Sequence, residues 1–396
     1  MVAPRILIAG GGTGGHVFPM VAVADALRAE REDTELLFVG TGRGIETRVV
    51  PDAGYDLKRL NVLPLRGRGL AGFVRGAARA MAIVPEARRL VRQFAPDVVF
   101  SVGGYAAGPV SVAARSCGVP VTLMEPNAVA GLTNRLLRPF ICRAYVCFPE
   151  AGASFAKRAV RHTGVPLRRE FSPAPYSTAK EPMRVLIMGG SQGAAALNEA
   201  MPRAVRRAIE AGVKMEVVHQ TGRGKDEAVI ALYAELGLGD AVHITTFIDD
   251  VAEALSEADL VIQRSGAGSL AELCSVGRPG LLIPYPHAAD DHQRHNAESL
   301  VRAGAAVCVV QAEATEERLA EELQRLGPQY GIRREMAEAA TRRGRPHAAA
   351  EIARDLLALA LDGQTASNGL KAGSRSGSAR DDGVVRRCLP TTAVLS

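Results

Sequence analysis

The sequence predicts an α/β protein with two doubly wound, parallel-sheet domains. Arg5–Ala9 is a short aliphatic run that stops at consecutive glycines, and Arg184–Met188 repeats this pattern in the second half. A helix-compatible stretch follows each glycine loop. At 396 residues the chain is long enough for two or three domains. With 47% hydrophobic but only 4% aromatic residues, the cores are expected to be mainly Val, Leu, Ile and Ala, as buried parallel strands prefer.

Apolar runs alternate with longer helical stretches throughout, which indicates βαβ units with right-handed crossovers. Gly72–Phe94 is predicted to be helical but interrupted by Pro85, and a last helix is predicted from Pro346 to Leu361. The predicted strands are Arg5–Ala9, Glu35–Val39, Val98–Val102, Val119–Met124, Ala144–Cys147, Val185–Met188, Met215–His219, Val242–Thr245, Leu260–Gln263, Leu281–Pro284 and Val307–Val310.

The domain boundaries follow from proline clusters and composition. Residues 1–165 are expected to form the N-terminal domain, 166–183 a proline-containing linker and 184–345 the C-terminal domain. The Gly-, Ser- and Arg-rich residues 363–396 cannot build a core and are predicted to be disordered.

Composition excludes several classes of function. The net charge of +6 is too mild to indicate nucleic-acid binding, and part of it is carried by the tail. The sequence contains neither an uncharged apolar run of membrane-spanning length nor a secretory h-region. The six cysteines lack CxxC or zinc spacing and are expected to be reduced, cytosolic thiols.

The first glycine loop, Gly10–Gly15, ends at His16. Glycines allow a ligand to approach the backbone, and N–H groups at a helix start favour anions. The loop therefore suggests a phosphate or sugar cradle with His16 as general base. A dinucleotide loop would need an acid after the second strand, but Val39-Gly40-Thr41-Gly42 stands there. A histidine that only caps the helix is the simpler alternative.

Two segments of the second half are candidates for a nucleotide-sugar site. Gly189–Ala194 resembles the first loop and carries Ser191, which could donate to a diphosphate, although a plain tight turn is the alternative. Arg264–Glu272 places small residues before a helix on which Glu272 could accept from two ribose hydroxyls. An exposed helical glutamate is the alternative there.

The remaining polar segments favour sugar recognition over metal binding. His287, His292 and His295 have weak metal-ligand spacing, so Asp291, His292 and Gln293 are better explained as hydroxyl-binding groups. No DxD pair occurs, and Asp249-Asp250 is predicted to cap a helix. We therefore expect no metal or other cofactor. Arg168 is a candidate to neutralise a leaving diphosphate.

A basic and apolar stretch suits an anionic membrane surface. An ordinary amphipathic helix is its alternative. The stretch comprises Arg66, Arg68, Arg75 and Arg79, interleaved with Leu65, Leu70, Phe73, Val74, Met81 and Ile83.

Together these segments resemble glycosyltransferase family 28, and specifically its UDP-N-acetylglucosamine:lipid I N-acetylglucosaminyltransferases of peptidoglycan synthesis. The resemblance runs from the first strand to about Leu361. It is carried by Gly10–His16 with Phe18-Pro19, Gly103-Gly104-Tyr105, Glu125–Asn134, Gly189–Ala194, His219–Gly222, Phe247–Asp250, Arg264–Glu272 and Asp290–Ala297.

The resemblance implies the GT-B fold, with a cleft between the domains and helix 346–361 returning to the first domain. It implies a peripheral enzyme on the cytoplasmic face of the inner membrane, with the helix around Phe73–Ile83 resting on an anionic surface. Other proteins of cell-wall synthesis are expected partners, and nucleic acid is not.

The resemblance also implies roles for individual residues. Glu272 would bind the ribose, Ile248 the uracil through its backbone, and Arg264 would border the nucleotide. Ser191, Arg168 and the Ala267 N–H would face the diphosphate. Gln293 would bind the sugar hydroxyls, with Asn127 reaching the sugar from the first domain. The other predicted donor residues are Thr13, Gly14 and Gly15. The loops Gly11–Gly15, with Gly11 and Gly12 as the first candidates, and Gly103-Gly104 would receive the acceptor diphosphate.

The implied reaction is an inverting transfer to the 4-hydroxyl of the lipid-linked N-acetylmuramoyl-pentapeptide. His16 is the first candidate base and Glu125 the second. The sequence departs from the family at Met124 and Pro126, where His and Gln are usual, and at His292, where Gln is frequent. Other readings are a transferase acting on another lipid such as diacylglycerol, a UDP-N-acetylglucosamine 2-epimerase and a non-enzymatic sugar-nucleotide sensor.

Overall fold

The computed structural model describes residues 2–62, 70–104, 106–176, 181–190 and 193–373. For residues 70–80, 240 and 366–373 the description covers the backbone alone. The described residues form two compact units: residues up to Pro126 with 130–166 and the stretch from His347, and residues 127–129 with 167–346.

The first unit is built on a seven-stranded parallel sheet in the order β3-β2-β1-β4-β5-β6-β7. Its strands are β1 (Arg5–Ala9), β2 (Glu35–Thr41), β3 (Leu57–Leu60), β4 (Val98–Ser101), β5 (Val121–Glu125), β6 (Arg143–Val146) and β7 (Val160–His162). Its helices are α1 (Gly14–Glu30), α2 (Glu46–Asp52), α3 (Leu70–Phe94), α4 (Ala107–Ser116), α5 (Leu132–Leu137) and, from the end of the chain, α13 (Ala348–Gly373).

The second unit is built on a six-stranded parallel sheet in the order β10-β9-β8-β11-β12-β13. Its strands are β8 (Met183–Met188), β9 (Met215–Gln220), β10 (Val242–Thr245), β11 (Leu260–Gln263), β12 (Gly280–Leu282) and β13 (Ala306–Cys308). Its helices are α6 (Ala195–Glu210), α7 (Asp226–Glu235), α8 (Val251–Glu257), α9 (Ala267–Val276), α10 (His292–Arg302), α11 (Glu316–Leu326) and α12 (Tyr330–Arg343).

Helices cover both faces of the first sheet, as its continuously apolar strands require. On one face Ile6 and Ile8 of β1 pack in a core that includes Ile352 and Leu356 of α13. On the other face Leu7 packs in a core that also contains side chains of α3 and α4. The two doubly wound parallel sheets confirm the predicted fold class.

All eleven predicted strands are present, and two short strands were missed. β3 and β7 lie at the sheet edges, where exposed Lys58, Arg59 and His162 hide the apolar pattern. Edge strands carry such charges because they have an unpaired side.

Three predictions about the helices were wrong, two about where a helix begins or ends and one about an interruption. α1 begins at Gly14 rather than near Pro19. α3 continues through Pro85 without a break, because Pro85 is exposed and the solvent can reach the carbonyl of exposed Met81 that it leaves unpaired. α13 runs to Gly373, past Leu361, and its added turns are anchored by Gln364, which donates to Asp97 Oδ2 at 2.9 Å. Residues 374–396 of the predicted tail lie outside the described residues.

Candidate active site

The predicted glycine-containing loops follow strand ends at the switch point of each sheet. Strand order reverses between β1 and β4 in one unit and between β8 and β11 in the other. Ligands of open α/β sheets bind at this position, outside the carboxyl ends of the strands. Each unit therefore has one candidate site formed by its own glycine loops.

In the first unit His16 lies in the first turn of α1, together with Gly14 and Gly15. Its Nδ1 is 3.3 Å from Thr13 Oγ1, and its backbone N–H donates to the Thr13 carbonyl at 3.1 Å. The N–H groups of a first helical turn lack partners within the helix. This end of α1 can therefore receive an anion beside an imidazole.

The loop after β4 packs directly against the loop after β1. A Cβ at Gly103 would lie 3.3 Å from His16 Nε2. A Cβ at Gly104, whose φ is +83°, would lie 2.5 Å from the Gly11 carbonyl oxygen. Only glycine allows this approach of backbone to backbone. The structure therefore brings Gly11, His16, Gly103 and Gly104 together.

Glu46, at the start of α2, lies beneath the glycine loop and was missed from the sequence. It is fully buried, and its Oε2 accepts from the Gly12 N–H at 2.8 Å. Oε1 accepts from the Thr41 N–H at 3.0 Å and from Thr41 Oγ1 at 2.6 Å. Burial raises the pKa of Glu46, but these hydrogen bonds outweigh it and hold the pKa below its ordinary value.

The hydrogen bond from Gly12 to Glu46 limits which groups of the predicted acceptor site can bind an anion. Because the Gly12 N–H already donates to Glu46, an anion at this loop would rely on the first turn of α1. The signal that could have found Glu46 is the pair Gly40 and Gly44 just before it, because a Cβ at either position would overlap its side chain.

Glu125, at the end of β5, is 2% exposed. Its Oε2 accepts from the Gly131 N–H at 2.9 Å and from Asn134 Nδ2 at 2.8 Å. Asn134 Nδ2 also donates to the Met124 carbonyl. These bonds fix the orientation of the carboxylate.

In the second unit, the loop after β11 leads into α9, with Gly266 as N-cap and Ala267 as first residue. Glu272 lies further along α9 and is half-buried. Burial raises the pKa of Glu272 to about 7, with nearby Arg168 lowering it and Glu170 raising it. Within the described part of the chain its carboxylate has no hydrogen-bond partner.

Arg168 and Arg264 differ in how they are engaged. Arg168 pairs with Glu170 at 2.9 Å and is half exposed. Arg264 donates to the Ile283 carbonyl at 3.0 Å and to Gln311 Oε1 at 2.6 Å, and burial lowers its pKa. Arg264 therefore shapes the loop after β12 more than it offers donors to a ligand.

Gln293, in the first turn of α10, also forms hydrogen bonds within the protein through its side-chain oxygen. Its Oε1 accepts from the N–H groups of Ser265 at 3.3 Å and Tyr285 at 3.0 Å. The Ser265 hydroxyl in turn donates to the Gln293 carbonyl at 2.7 Å. Gln293 thus joins the loops after β11 and β12, and its Nε2 is the group left to donate to a hydroxyl.

Asn127 groups with the second unit, not with the first as expected. Fully buried Asn296 of α10 causes this. Its Nδ2 donates to Asn127 Oδ1 at 3.1 Å and to the Ser265 carbonyl at 3.2 Å, and its Oδ1 accepts from the Ala128 N–H at 2.8 Å. Asn127 is therefore attached to the same loop as the other donor residues.

The loop after β8 is held by buried Gln220, another residue missed as part of the site. Gln220 Oε1 accepts from the Gly189 N–H at 3.1 Å, and its Nε2 donates to the carbonyls of Gly190 and Thr246. Ser191, the predicted donor of this loop, lies outside the described residues.

Ile248 lies between β10 and α8 and lines a cavity of about 780 Å³ with Val218, Phe247 and Asp250. Among the residues that the structure describes, no other predicted donor residue lines this cavity. The predicted cap of α8 is confirmed, since Asp250 accepts from the Glu253 N–H at 2.8 Å.

Two features are absent from the residues that the structure describes. Among them, no helix is both long and apolar enough to cross a bilayer. The same residues contain no group of three or more His, Cys, Asp or Glu side chains arranged to hold a metal ion. Arg66 and Arg68 of the basic stretch lie outside the described ranges.

Both halves of the chain match known family models. Residues 6–146 match the glycosyltransferase family 28 N-terminal domain, and residues 184–352 match the glycosyltransferase family 28 C-terminal domain. The family model boundaries contain both glycine loops and the whole of α9 and α10.

Curated relatives extend the match over most of the chain. A protein of Sorangium cellulosum (strain So ce56) is 58% identical over 90% of this chain and 88% of its own length. A protein of Anaeromyxobacter dehalogenans (strain 2CP-1) is 42% identical over 88% of this chain and 91% of its own. Both are named UDP-N-acetylglucosamine–N-acetylmuramyl-(pentapeptide) pyrophosphoryl-undecaprenol N-acetylglucosamine transferase.

Solved structures agree with the fold. The crystal structure of Acinetobacter baumannii MurG is 32% identical, covers 89% of this chain and 99% of its own, and has a TM-score of 0.76. A UDP-N-acetylglucosamine 2-epimerase has a TM-score of 0.62 at 16% identity, which shows a shared fold alone. With both family models matched and 58% identity to a curated relative, this chain is a glycosyltransferase that belongs to family 28 and has the GT-B fold.

Proposed function

We propose that this chain transfers N-acetylglucosamine from UDP-N-acetylglucosamine to the 4-hydroxyl of lipid I, forming lipid II for peptidoglycan. The observation that carries the proposal is the 58% identity to a transferase of that name over 90% of the chain. The two matched family domains, residues 6–146 and 184–352, include the glycine loops and helix starts at both switch points.

The nucleotide sugar is assigned to the second unit. The N–H of Ala267, at the start of α9, faces the diphosphate together with Arg168 and Ser191. Glu272, which has a carboxylate without a hydrogen-bond partner in the described part of the chain, accepts from the ribose hydroxyls. Gln293 donates through Nε2 to a sugar hydroxyl, and the backbone of Ile248 binds the uracil.

The acceptor is assigned to the first unit. The start of α1, with Gly14 and Gly15, receives its diphosphate beside the Gly103-Gly104 loop. His16 takes the proton of the 4-hydroxyl while that oxygen attacks C1 of the donor sugar. The bond from C1 to the UDP oxygen breaks as the new bond forms, so one displacement inverts the α-linked donor to a β product.

The lipid-linked acceptor also motivates a location. We place the protein at the cytoplasmic face of the inner membrane, bound peripherally through the basic and apolar stretch that ends in α3. The face around Phe73–Ile83 would rest on anionic lipid. The support is the sequence pattern and the helical backbone of α3.

The test is transfer of labelled sugar from UDP-N-acetylglucosamine to purified lipid acceptors. Label in a lipid II product with lipid I, and none with diacylglycerol, is the expected result. Label in a diacylglycerol product would favour the other lipid acceptor. Conversion of UDP-N-acetylglucosamine without any acceptor would favour the epimerase reading instead.

A further inference from the structure

Glu46 lies in a space that the sequence leaves for it. A Cβ at Gly11 would lie 2.6 Å from Glu46 Oε1, and a Cβ at Gly40 would lie 2.8 Å from Glu46 Cγ. A Cβ at Gly44 would also overlap the carboxylate. Three glycines, one in the loop after β1, one in β2 and one in the loop after β2, thus surround the Glu46 side chain, and a side chain at any of them would displace it.

The carboxylate is held by hydrogen-bond donors rather than by a cation. Three donors converge on it, namely the Gly12 N–H, the Thr41 N–H and the Thr41 hydroxyl. In the described ranges no Lys or Arg forms an ion pair with it. A buried carboxylate that accepts several N–H and O–H bonds is stable as an anion.

Hydrogen bonds to Gly12 fix the conformation of the Gly10–Thr13 loop, which leads into the helix that carries His16. Gly12 is bound on both sides, because its N–H donates to Glu46 and its carbonyl accepts from the Ile45 N–H at 3.4 Å. Gly12 has a φ of +101°, and α1 begins two residues later. Ile45 and Glu46, at the start of α2, thus hold the loop before α1 and so fix the position of His16.

We propose that Glu46 is a positioning residue for sugar transfer, whose ionised carboxylate fixes the Gly10–Thr13 loop so that His16 and the start of α1 meet the acceptor. The inference rests on the proposed function, since it takes His16 as the base. Glu46 acts through the loop and is not expected to touch either substrate.

The first test is the isosteric variant E46Q. Its amide nitrogen would face donors on one side, so either the Gly12 bond or the Thr41 bonds are lost. We expect kcat to fall about 10- to 100-fold, as small misplacements of catalytic groups do. The Kd of UDP should stay within about twofold, because the groups assigned to the uracil, the ribose and the diphosphate belong to the other unit. Hydrogen exchange should quicken in peptides covering residues 10–16.

The matched control is E322Q, another buried carboxylate. Glu322 is 3% exposed and pairs with Arg318 at 2.6 Å and Arg325 at 2.7 Å within the second unit. Loss of this charge should lower thermal stability but leave kcat at 25 °C within about twofold of wild type. A kcat loss in E46Q alone therefore reports on the loop and not on stability.

A second variant covers the case in which E46Q does not fold. T41V removes only the hydroxyl that donates to Oε1 and keeps the Thr41 N–H. A lower kcat with faster loop exchange and unchanged UDP affinity supports the proposal. A wild-type kcat in folded E46Q, or in T41V where E46Q is unfolded, overturns it. Wild-type protein that does not use lipid I would overturn the proposed function instead, and the same assay shows this first.

Discussion

Asn296 holds Asn127 in place: its Nδ2 donates to Asn127 Oδ1 at 3.1 Å, and its Oδ1 accepts from the neighbouring Ala128 N–H at 2.8 Å. The same amide donates to the carbonyl of Ser265, directly before α9. One buried side chain thus connects the Asn127 segment to the loop in front of the proposed diphosphate site.

Replacing Asn296 with Ala should weaken the donor site and the fold together. The substitution leaves the buried Ala128 N–H and Ser265 carbonyl without partners, which should lower the free energy of unfolding by roughly 2–4 kcal/mol. The KM for UDP-N-acetylglucosamine should rise about 10-fold because Asn127 loses a hydrogen bond that orients its side chain. Denaturant unfolding and steady-state kinetics measure both effects. Exposed N61A is the control, and an unchanged KM in folded N296A would contradict the assignment of Asn127.

Glu272 should make UDP binding depend on pH. Because burial raises its pKa to about 7, the carboxylate that accepts ribose hydroxyls is present mainly above pH 7. UDP affinity should therefore increase from pH 6 to pH 8 in the wild type. In E272Q the affinity should be lower and should lose this pH dependence. Calorimetric titrations at several pH values measure it, and a pH-dependent E272Q would contradict the assignment.

The raised pKa of Glu272 also makes the free energy of unfolding depend on pH. Glu272 has a higher pKa in the folded than in the unfolded chain, so the folded state binds more protons between about pH 4.5 and 7. Stability from this group therefore falls as the pH rises through that window. E272Q removes the penalty and should be more stable than wild type by roughly 1–3 kcal/mol at pH 8, with a smaller gain at pH 5. Equal gains at both pH values would argue against a buried, titrating Glu272.

Replacing His16 with Ala should affect chemistry and not donor binding. Loss of a general base should lower kcat by about 10²–10⁴-fold. The Kd of UDP should be unchanged, since His16 lies in the first unit. Single-turnover transfer and UDP titration separate the two effects, and H162A, at an exposed histidine of the same unit, is the control. Near-normal turnover in H16A would remove His16 as the base and leave Glu125 as the candidate.

We predict that Asp355 attaches the last helix, α13, to the rest of the first unit and so stabilises that unit. Its Oδ2 accepts from the buried Tyr145 hydroxyl at 2.8 Å and lies 3.3 Å from Arg143 Nε. D355A should lower the free energy of unfolding by about 2–3 kcal/mol, whereas exposed D362A on the same helix should change little. Adding Y145F should cost less than the sum of the single changes. Strict additivity would show that the pair does not interact.

Strand periodicity made most of the fold predictable. Runs such as Arg5–Ala9 are apolar at nearly every position because both faces of a parallel sheet are covered, and this leaves a clear signal. The edge strands lack this signal. In β3, for example, the exposed Lys58 and Arg59 stand between two leucines. The added turns of α13 were missed because Gln364 is anchored by Asp97, a residue distant in sequence.

The candidate site was predictable where glycine loops mark it and unpredictable where side chains bind the loops from elsewhere. His16 and Ala267 follow such loops at strand ends, in the first turn of α1 and at the first residue of α9. Glu46 resembles an ordinary charged residue at a helix start, and its burial depends on contacts with Gly12 and Thr41. Asn127 belongs to the second unit through a residue 169 positions away.

The most direct test of the account is the rate of UDP release from UDP-N-acetylglucosamine, measured with and without lipid I in detergent or vesicles. The account predicts slow release alone, and a rate that rises and saturates with lipid I, with one lipid II formed per UDP released. Release or conversion that is equally fast without lipid I, or no release when lipid I is present, would contradict it.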